Sequence, residues 1–326
     1  PRLCRDWSSD VCSSDLLAYG EDTLDAPING QSIKLTIDDS IQYFVEDRLK
    51  EAMALHDAKS VSAIVMDPRT GEIIAMTSKP DFNLNDPRAH GADIDEATWN
   101  GMTADEKLNY SYTVWNNKVI SNTYEPGSTF KAFIAAIALE EKLITLDTTF
   151  FCNGFKEVNG VKLHCVSYPE GHGHQTFVQA FVNSCNPAFI EVGQKIGVET
   201  MYEYFEKFGL FEKTNVSLPA EARSIPIAKE KVGPVELAAI SFGHSINVTM
   251  LQMTRTLAAM VNGGYLMEPQ IVSSIIDQDG NVVSTFEKKV VSQIISEETS
   301  EQLKYLLESA VKTGGGKKAR SEERRV

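Results

Sequence analysis

A serine and a lysine three residues apart open a long apolar helix in this sequence. Ser128-Thr129-Phe130-Lys131 runs into AFIAAIAL, and Lys131 is the only charge between Phe130 and Leu139. A helix that is apolar all round must be buried. Burying a lone ammonium is costly, and desolvation lowers its pKa until the amine becomes a usable base. Positions three apart share a helical face. Lys131 is therefore placed to take the proton of Ser128, a hydroxyl that is a poor nucleophile without an adjacent base. Ser309-x-x-Lys312 repeats the letters on an amphipathic helix, where Lys312 simply favours the negative end of the helix dipole. Only Ser128 has the buried setting. The plainer alternative for the pair is a serine cap and a lysine that snorkels to water.

The elements that position this pair read as follows. Ser32 to Ile37 alternates like a short strand, and Asp38 or Asp39 caps a helix carrying Ile41, Phe44, Val45, Leu49 and Met53. SVSAIVM and EIIAMTS flank Asp67-Pro68-Arg69-Thr70-Gly71, a hairpin turn. Residues 80 to 127, with Pro80, Pro87 and Pro126, read as loop. Helices are expected from Ser128 to about Leu143, from Pro187 to Ile196, from Val235 to Asn262 and from Ser300 to Val311. A second hairpin turns at Asp279-Gly280. Strands at both ends around a helical middle predict an α+β fold with one mixed-layer core.

The chain's 326 residues suffice for a large core, and its net charge of −14 argues against nucleic acid as a partner. The longest apolar stretch, Ala132 to Leu139, is far short of the roughly 20 residues that cross a bilayer. Residues 1 to 16 and 320 to 326 lack any structural periodicity and read as a non-native leader and tail. Residues 17 to 59 read as a linker and helix, and 60 to 319 as the main domain.

The segment Tyr124-Glu125-Pro126-Gly127-Ser128-Thr129-Phe130-Lys131 resembles the first active-site motif of class B penicillin-binding proteins, the serine D,D-transpeptidases of bacterial wall synthesis. DPRTGEIIAM, TVWNNKVISNTYEPGSTFK, GHGHQTFVQAFVNSCNPAF and SFGHSINVTMLQMTRTLAAMVNGGYLMEPQIV are similar to that family in the same order, over roughly residues 20 to 319. Division-type and sporulation-specific members of Gram-positive endospore formers are the most similar. The resemblance implies the penicillin-binding protein/serine β-lactamase-like fold: an antiparallel sheet with helices on both faces and an all-helical subdomain.

It further implies that Ser128 is the nucleophile and Lys131 its base. Ser184-Cys185-Asn186 matches the family's Ser-x-Asn, in which the serine relays a proton and the asparagine orients the lysine and holds the substrate amide. Ser245-Ile246-Asn247 has the same letters without the flanks. On its own, Asn186 before Pro187 also reads as a helix cap. The family's third motif, Lys-Thr/Ser-Gly on a strand, is matched in letters by Lys312-Thr313-Gly314, but an amphipathic helix precedes it and glycines follow, so it reads as a helix end. The strand carrying the true motif, and with it one oxyanion donor, is expected beyond this chain. His244-Ser245 and Met250 depart from the Gln-Gly and Pro common in relatives. The implied ligands are peptidoglycan stem peptides and β-lactams. The implied partner is a membrane glycosyltransferase, the location is the extracytoplasmic face of the cell membrane, and no cofactor is implied.

Three cysteines lie within the main domain. Cys152 and Cys165 flank Asn159-Gly160 and so can face each other across paired strands, which leaves open a disulfide or two free buried thiols. A metal held with His164, His172 and His174 is disfavoured, because the spacing fits no compact ligand pattern. Cys185 reads as a small packing residue. A serine β-lactamase of class A needs a Glu with an Asn four residues on; Glu221 is followed by Ala222-Arg223-Ser224-Ile225, so that pattern fails. A penicillin-binding sensor or non-catalytic wall-synthesis scaffold is the other alternative.

Overall fold

The computed structural model describes residues 30–319 other than 92 and 225, so the leader 1–16 and the tail 320–326 lie outside the described residues. Ser32–Leu35 (β1) leads to Asp38, whose carboxylate accepts the amides of Ser40 and Ile41 and starts Asp39–His56 (α1). Val61–Met66 (β2) and Ile73–Lys79 (β3) form the expected antiparallel hairpin, with β3 alternating buried and half-buried residues. α1 lies on β3. The Gln42 amide bridges the backbone N–H and C=O of Met76, and Glu46 pairs with buried Lys79 at 3.2 Å. β1 pairs with Val272–Ile276 from the far end of the chain. Residues 30–59 are thus packed into the same body as the hairpin.

Residues 80 to 127 depart from the expected loop. They hold Glu96–Gly101 (α2), Ala104–Trp115 (α3) and Lys118–Ser121 (α4). Thr103 and Glu106 form a capping box at the start of α3: Thr103 N–H donates to Glu106 Oε2 at 2.7 Å and Glu106 N–H to Thr103 Oγ1 at 3.3 Å. Thr123–Tyr124 (β4) then pairs with Val248–Thr249. A 3₁₀ turn, Gly127–Phe130, hands over to Lys131–Glu140 (α5), which is shorter than the helix expected to reach Leu143.

Thr149–Cys152 (β5) pairs with Gly173–Thr176, while Phe155–Val158 (β6) and Val161–His164 (β7) close around Asn159-Gly160, both at positive φ. Gly173–Thr176 is β8. Phe177–Val182 (α6) and Asn186–Lys207 (α7) follow, α7 kinking at Gly197. The helix expected over Val235 to Asn262 is two helices, Pro234–Ile240 (α8) and Met250–Val261 (α9), separated by a loop that ends in Val248–Thr249 (β9). Gly243, at φ 85°, breaks the pattern. Its carbonyl accepts Gly127 N–H at 2.9 Å, so this loop braces the turn that carries Ser128. Tyr265–Met267 (β10), Val272–Ile276 (β11), Val282–Thr285 (β12), Val290–Gln293 (β13) and Glu297–Thr313 (α10) complete the order.

Among the described residues the ladders are one three-stranded sheet, β1-β11-β12, and five two-stranded ones, all antiparallel. Together with the helices they give the expected α+β class. The main core centres on α5, buried from Lys131 to Leu139. Phe133 stacks on Phe130 at 4.7 Å and packs against Phe205 at 5.5 Å and Phe208 at 5.1 Å. Such aromatic pairs add about 0.5–1.5 kcal/mol each beyond area burial. They lock the helix carrying Lys131 against α7, which begins at Asn186.

Candidate active site

Lys131 is 3% exposed, and its Nζ meets four oxygens: Ser128 Oγ at 3.2 Å, Ser184 Oγ at 2.9 Å, Ser184 O at 2.8 Å and Asn186 Oδ1 at 2.7 Å. Ser184 Oγ–H in turn donates to Ser128 Oγ at 3.0 Å. The four residues expected from sequence thus converge on one point. An ammonium has three donors and no acceptor. The neutral amine has two donors, which suit Asn186 Oδ1 and Ser184 O, and a lone pair left for the proton of Ser128. Burial pushes the Lys131 pKa down from 10.5 to about 8, opposed by the charges of Cys165 and Cys185.

Local structure explains the convergence. The 3₁₀ turn places Ser128 one tight turn before Lys131. Asn186 Nδ2 donates to His164 O at 2.9 Å, which turns Oδ1 toward the lysine. The N-cap of α7 is Cys185 and Asn186 is its first residue, so the capping role open to Asn186 from sequence is not the one it takes. Ser184 sits at φ 51°, in the left-handed region that a serine rarely adopts. Such strain costs of order 1–3 kcal/mol and persists only where the surroundings over-determine it.

The rival motifs fall elsewhere. Lys312 and Thr313 end α10, with Gly314 as its C-cap, so KTG is a helix end as expected. Buried Glu221 accepts both the N–H and the Oγ1–H of Thr214 at 2.7 Å, a structural use of that carboxylate. Sequence reasoning assigned no task to Glu125, yet its carboxylate accepts Ser245 N–H at 2.8 Å and contacts His244 Nδ1 at 3.0 Å. The Ser245 amide, then His244, holds the Glu125 carboxyl below its usual range. The motif letters Y-E-P-G-S were the available signal.

Ser245 itself lies at φ 58°. Ser245→Gly is expected to relieve about 1–2 kcal/mol of left-handed strain, offset by about 0.5–1 kcal/mol of extra unfolded-state entropy. A thermal melt should show a rise of roughly 1–4 °C; a fall would remove the strain argument.

The cysteines do not follow the expected hairpin. Asn159-Gly160 closes β6 on β7, whereas Cys152 ends β5 and pairs with Gly173, so Cys152 and Cys165 are not opposed across that turn. Both are free, as is Cys185. The ligand-spacing argument also misses what the fold does: Cys152, Cys165, His172 and Cys185 come together, while His164 instead stacks on Tyr168 at 4.1 Å.

Comparison with known proteins places this geometry. A family model described as penicillin binding protein transpeptidase domain matches residues 61–326. Stage V sporulation protein D of Bacillus subtilis is 37% identical over 302 residues, 92% of this chain and 44% of that protein. Penicillin-binding protein PbpB of Mycolicibacterium smegmatis is 31% identical over 87% of this chain and 41% of that protein. The chain therefore spans less than half the length of these relatives. Among solved structures, the D,D-transpeptidase domain of a peptidoglycan glycosyltransferase from Eggerthella lenta superposes with a TM-score of 0.76 at 26% identity, covering 90% of this chain and 69% of that one. Penicillin-binding protein 3 of Mycobacterium tuberculosis, complexed with aztreonam, gives 0.75 at 25% identity, covering 90% and 62%. With the serine, lysine and Ser-x-Asn turn in contact and most of its length matched, the chain belongs to the penicillin-binding protein transpeptidase domain family.

Proposed function

We propose that this chain carries the catalytic centre of a peptidoglycan D,D-transpeptidase, with Ser128 as nucleophile, Lys131 as base, Ser184 as proton relay and Asn186 as the group that orients the lysine. The observation that carries the reading is the contact of one buried lysine nitrogen with Ser128, Ser184 and Asn186 together. Ser128 Oγ attacks the penultimate D-alanine carbonyl of a stem peptide, and its proton passes to Lys131 Nζ. The tetrahedral intermediate collapses, the C–N bond breaks, and the proton reaches the leaving D-alanine amine through Ser184. An amine of a neighbouring strand then attacks the ester, and Ser128 Oγ regains a proton.

β-Lactams present a strained amide to the same serine and stop at the acyl-enzyme. The relatives named as peptidoglycan D,D-transpeptidases support this reading over a sensor or scaffold. In the whole protein the domain acts at the extracytoplasmic face of the membrane beside a glycosyltransferase that supplies the strands. Among the described residues no helix is long and apolar enough to cross a membrane. Incubation with a penicillin, followed by intact-mass measurement and peptide mapping, tests the assignment: the adduct should sit on the peptide containing Ser128. An adduct elsewhere, or none on a chain shown by circular dichroism to be folded, would refute it.

The reactive form of Lys131 is the neutral amine, so acylation should quicken as pH rises. With its pKa lowered by burial to about 8, a one-proton titration leaves roughly a tenth of the chains active at pH 7 and roughly nine tenths at pH 9. Stopped-flow acylation rates should climb about tenfold across that window and then level. A profile that is flat from pH 7 to 9 would contradict the base assignment.

A further inference from the structure

Three buried thiols and one imidazole converge behind the Ser184–Asn186 turn, and the mechanism above uses none of them. Cys152 ends β5, Cys165 follows β7, His172 precedes β8 and Cys185 caps α7. The three sulfurs and a ring nitrogen of His172 all lie within 4.8 Å of one another. Cys165 Sγ is 3.9 Å from Cys185 Sγ and 3.5 Å from His172 Nδ1. Cys152, Cys165 and Cys185 are 1%, 5% and 0% exposed, and His172 is half-buried.

Tetrahedral zinc bonds sulfur at about 2.3 Å and imidazole nitrogen at about 2.0–2.1 Å, which sets S···S edges of about 3.8 Å and S···N edges of about 3.5 Å. The two separations measured at Cys165 already equal those edges. The remaining pairs, all within 4.8 Å, close with changes in separation of about 1.3 Å or less. Thiolates also need donors, as the outer shells of metal sites supply. The backbone N–H groups of Ser167 and Asn186 point at Cys165, and that of Ala188 at Cys185. Ser167 Oγ, 3.2 Å from His172 Nδ1, would yield that nitrogen to the ion. His172 lines an open groove of about 560 Å³ between β8, α6 and α10, a way in for an ion.

We propose that Cys152, Cys165, His172 and Cys185 form a closed, structural zinc site. The ligand set is three thiolates and one imidazole, the soft tetrahedral donors that suit zinc, with no position left for a reacting water. Its consequence lies in the chain order: Cys185 stands between Ser184 and Asn186. The ion would fasten the 152–173 segment to the start of α7 and hold Ser184 at its unfavourable φ. Zinc binding stands apart from the transpeptidase reading; only the consequence for acylation rests on it.

The test uses the full chain with Cys4 and Cys12 replaced by serine, which leaves these three as its only cysteines. Prepared under reducing conditions and passed through gel filtration, it should retain one zinc per chain by plasma mass spectrometry. The chain stripped of metal and given Co²⁺ should develop a thiolate-to-cobalt charge-transfer band and the intense visible bands of a tetrahedral ion. His172→Ala and Cys152→Ser should each weaken zinc binding by more than about 100-fold, because losing even an outer-shell partner costs 10–100-fold. The cobalt spectrum needs no ligand variant, so a variant that fails to fold leaves it decisive. Substoichiometric zinc with a weak octahedral cobalt spectrum would overturn the site. So would an intact mass short of two hydrogens under reducing conditions, which would mark a Cys165–Cys185 disulfide in place of a metal. Retained zinc with the tetrahedral spectrum but no penicillin adduct would uphold the site and remove the transpeptidase reading alone.

Discussion

Acylation of the Lys131→Met chain by a penicillin is expected to run about 10²–10⁴-fold slower than that of the unaltered chain, with any residual adduct still on Ser128. That range corresponds to about 3–5 kcal/mol of barrier. Methionine keeps the length and apolar stem of the lysine within the core around α5 but removes the nitrogen that touches Ser128 Oγ, Ser184 Oγ, Ser184 O and Asn186 Oδ1. Lys131→Arg should not rescue the rate, because a guanidinium is not deprotonated near neutral pH and cannot act as the base. Circular dichroism and a melt should find Lys131→Met folded, since it removes a buried cationic group rather than a packing one. A rate within tenfold of the unaltered chain would sink the assignment of Lys131 as base. Ser128→Ala, by contrast, should give no adduct at all, which separates loss of the base from loss of the nucleophile.

The part of this site legible in the sequence is the part set by local spacing. Ser128 and Lys131 sit within one helical turn, and the lone charge in an apolar run announces a buried amine before any fold is known. Ser184 and Asn186 are another matter. Nothing local brings position 184 to within 3.0 Å of position 128; the contact is made by α5 packing on α7 through Phe133, Phe205 and Phe208, and only the family resemblance pointed to it. The cysteines show the same limit in sharper form. Spacing along the chain lets Cys152 face Cys165, bonded or as two free thiols, and reads Cys185 as a packing residue, because a hairpin turn is a local signal. The pairing of β5 with β8 is long-range, and it is this that carries Cys152 and His172 to the foot of α7.

The fold follows the same division. The hairpin of β2 and β3 and the cap at Asp38 were readable because a turn and a cap are written in a few adjacent residues. The three helices between residues 96 and 121 are hidden by a reading that follows Pro80, Pro87 and Pro126, although the capping box at Thr103 and Glu106 is itself a local signal. The break between α8 and α9 was missed for a different reason: hydrophobic periodicity runs through it, and what interrupts the helix is the demand of the Ser128 turn for a partner backbone at Gly243.

That demand makes Gly243 a position where a single methyl group should do great harm. Its φ of 85° is one an L side chain pays about 1–3 kcal/mol to adopt. A Cβ there would also lie 2.5 Å from Gly127 C and 2.7 Å from Gly127 N. Those are backbone atoms, fixed by the Gly127 N–H to Gly243 carbonyl bond, so the clash cannot be relieved by rotating a side chain. Forcing atoms into a filled space adds about 1–3 kcal/mol, and Gly243→Ala should lose about 2–6 kcal/mol, a drop of roughly 5–20 °C in a melt. Because the atoms pushed are those that carry Ser128, chains that remain folded below the melt should also acylate more slowly. Gly280→Ala supplies the comparison: Gly280 has nearly the same φ, 84°, in the exposed turn between β11 and β12, and a Cβ there meets nothing within 4 Å. It should lose only the conformational part, about 1–3 kcal/mol, with acylation unchanged. If the two variants melt together and acylate alike, the cost at Gly243 is conformational only, and the backbone contact does not hold the nucleophile turn in place.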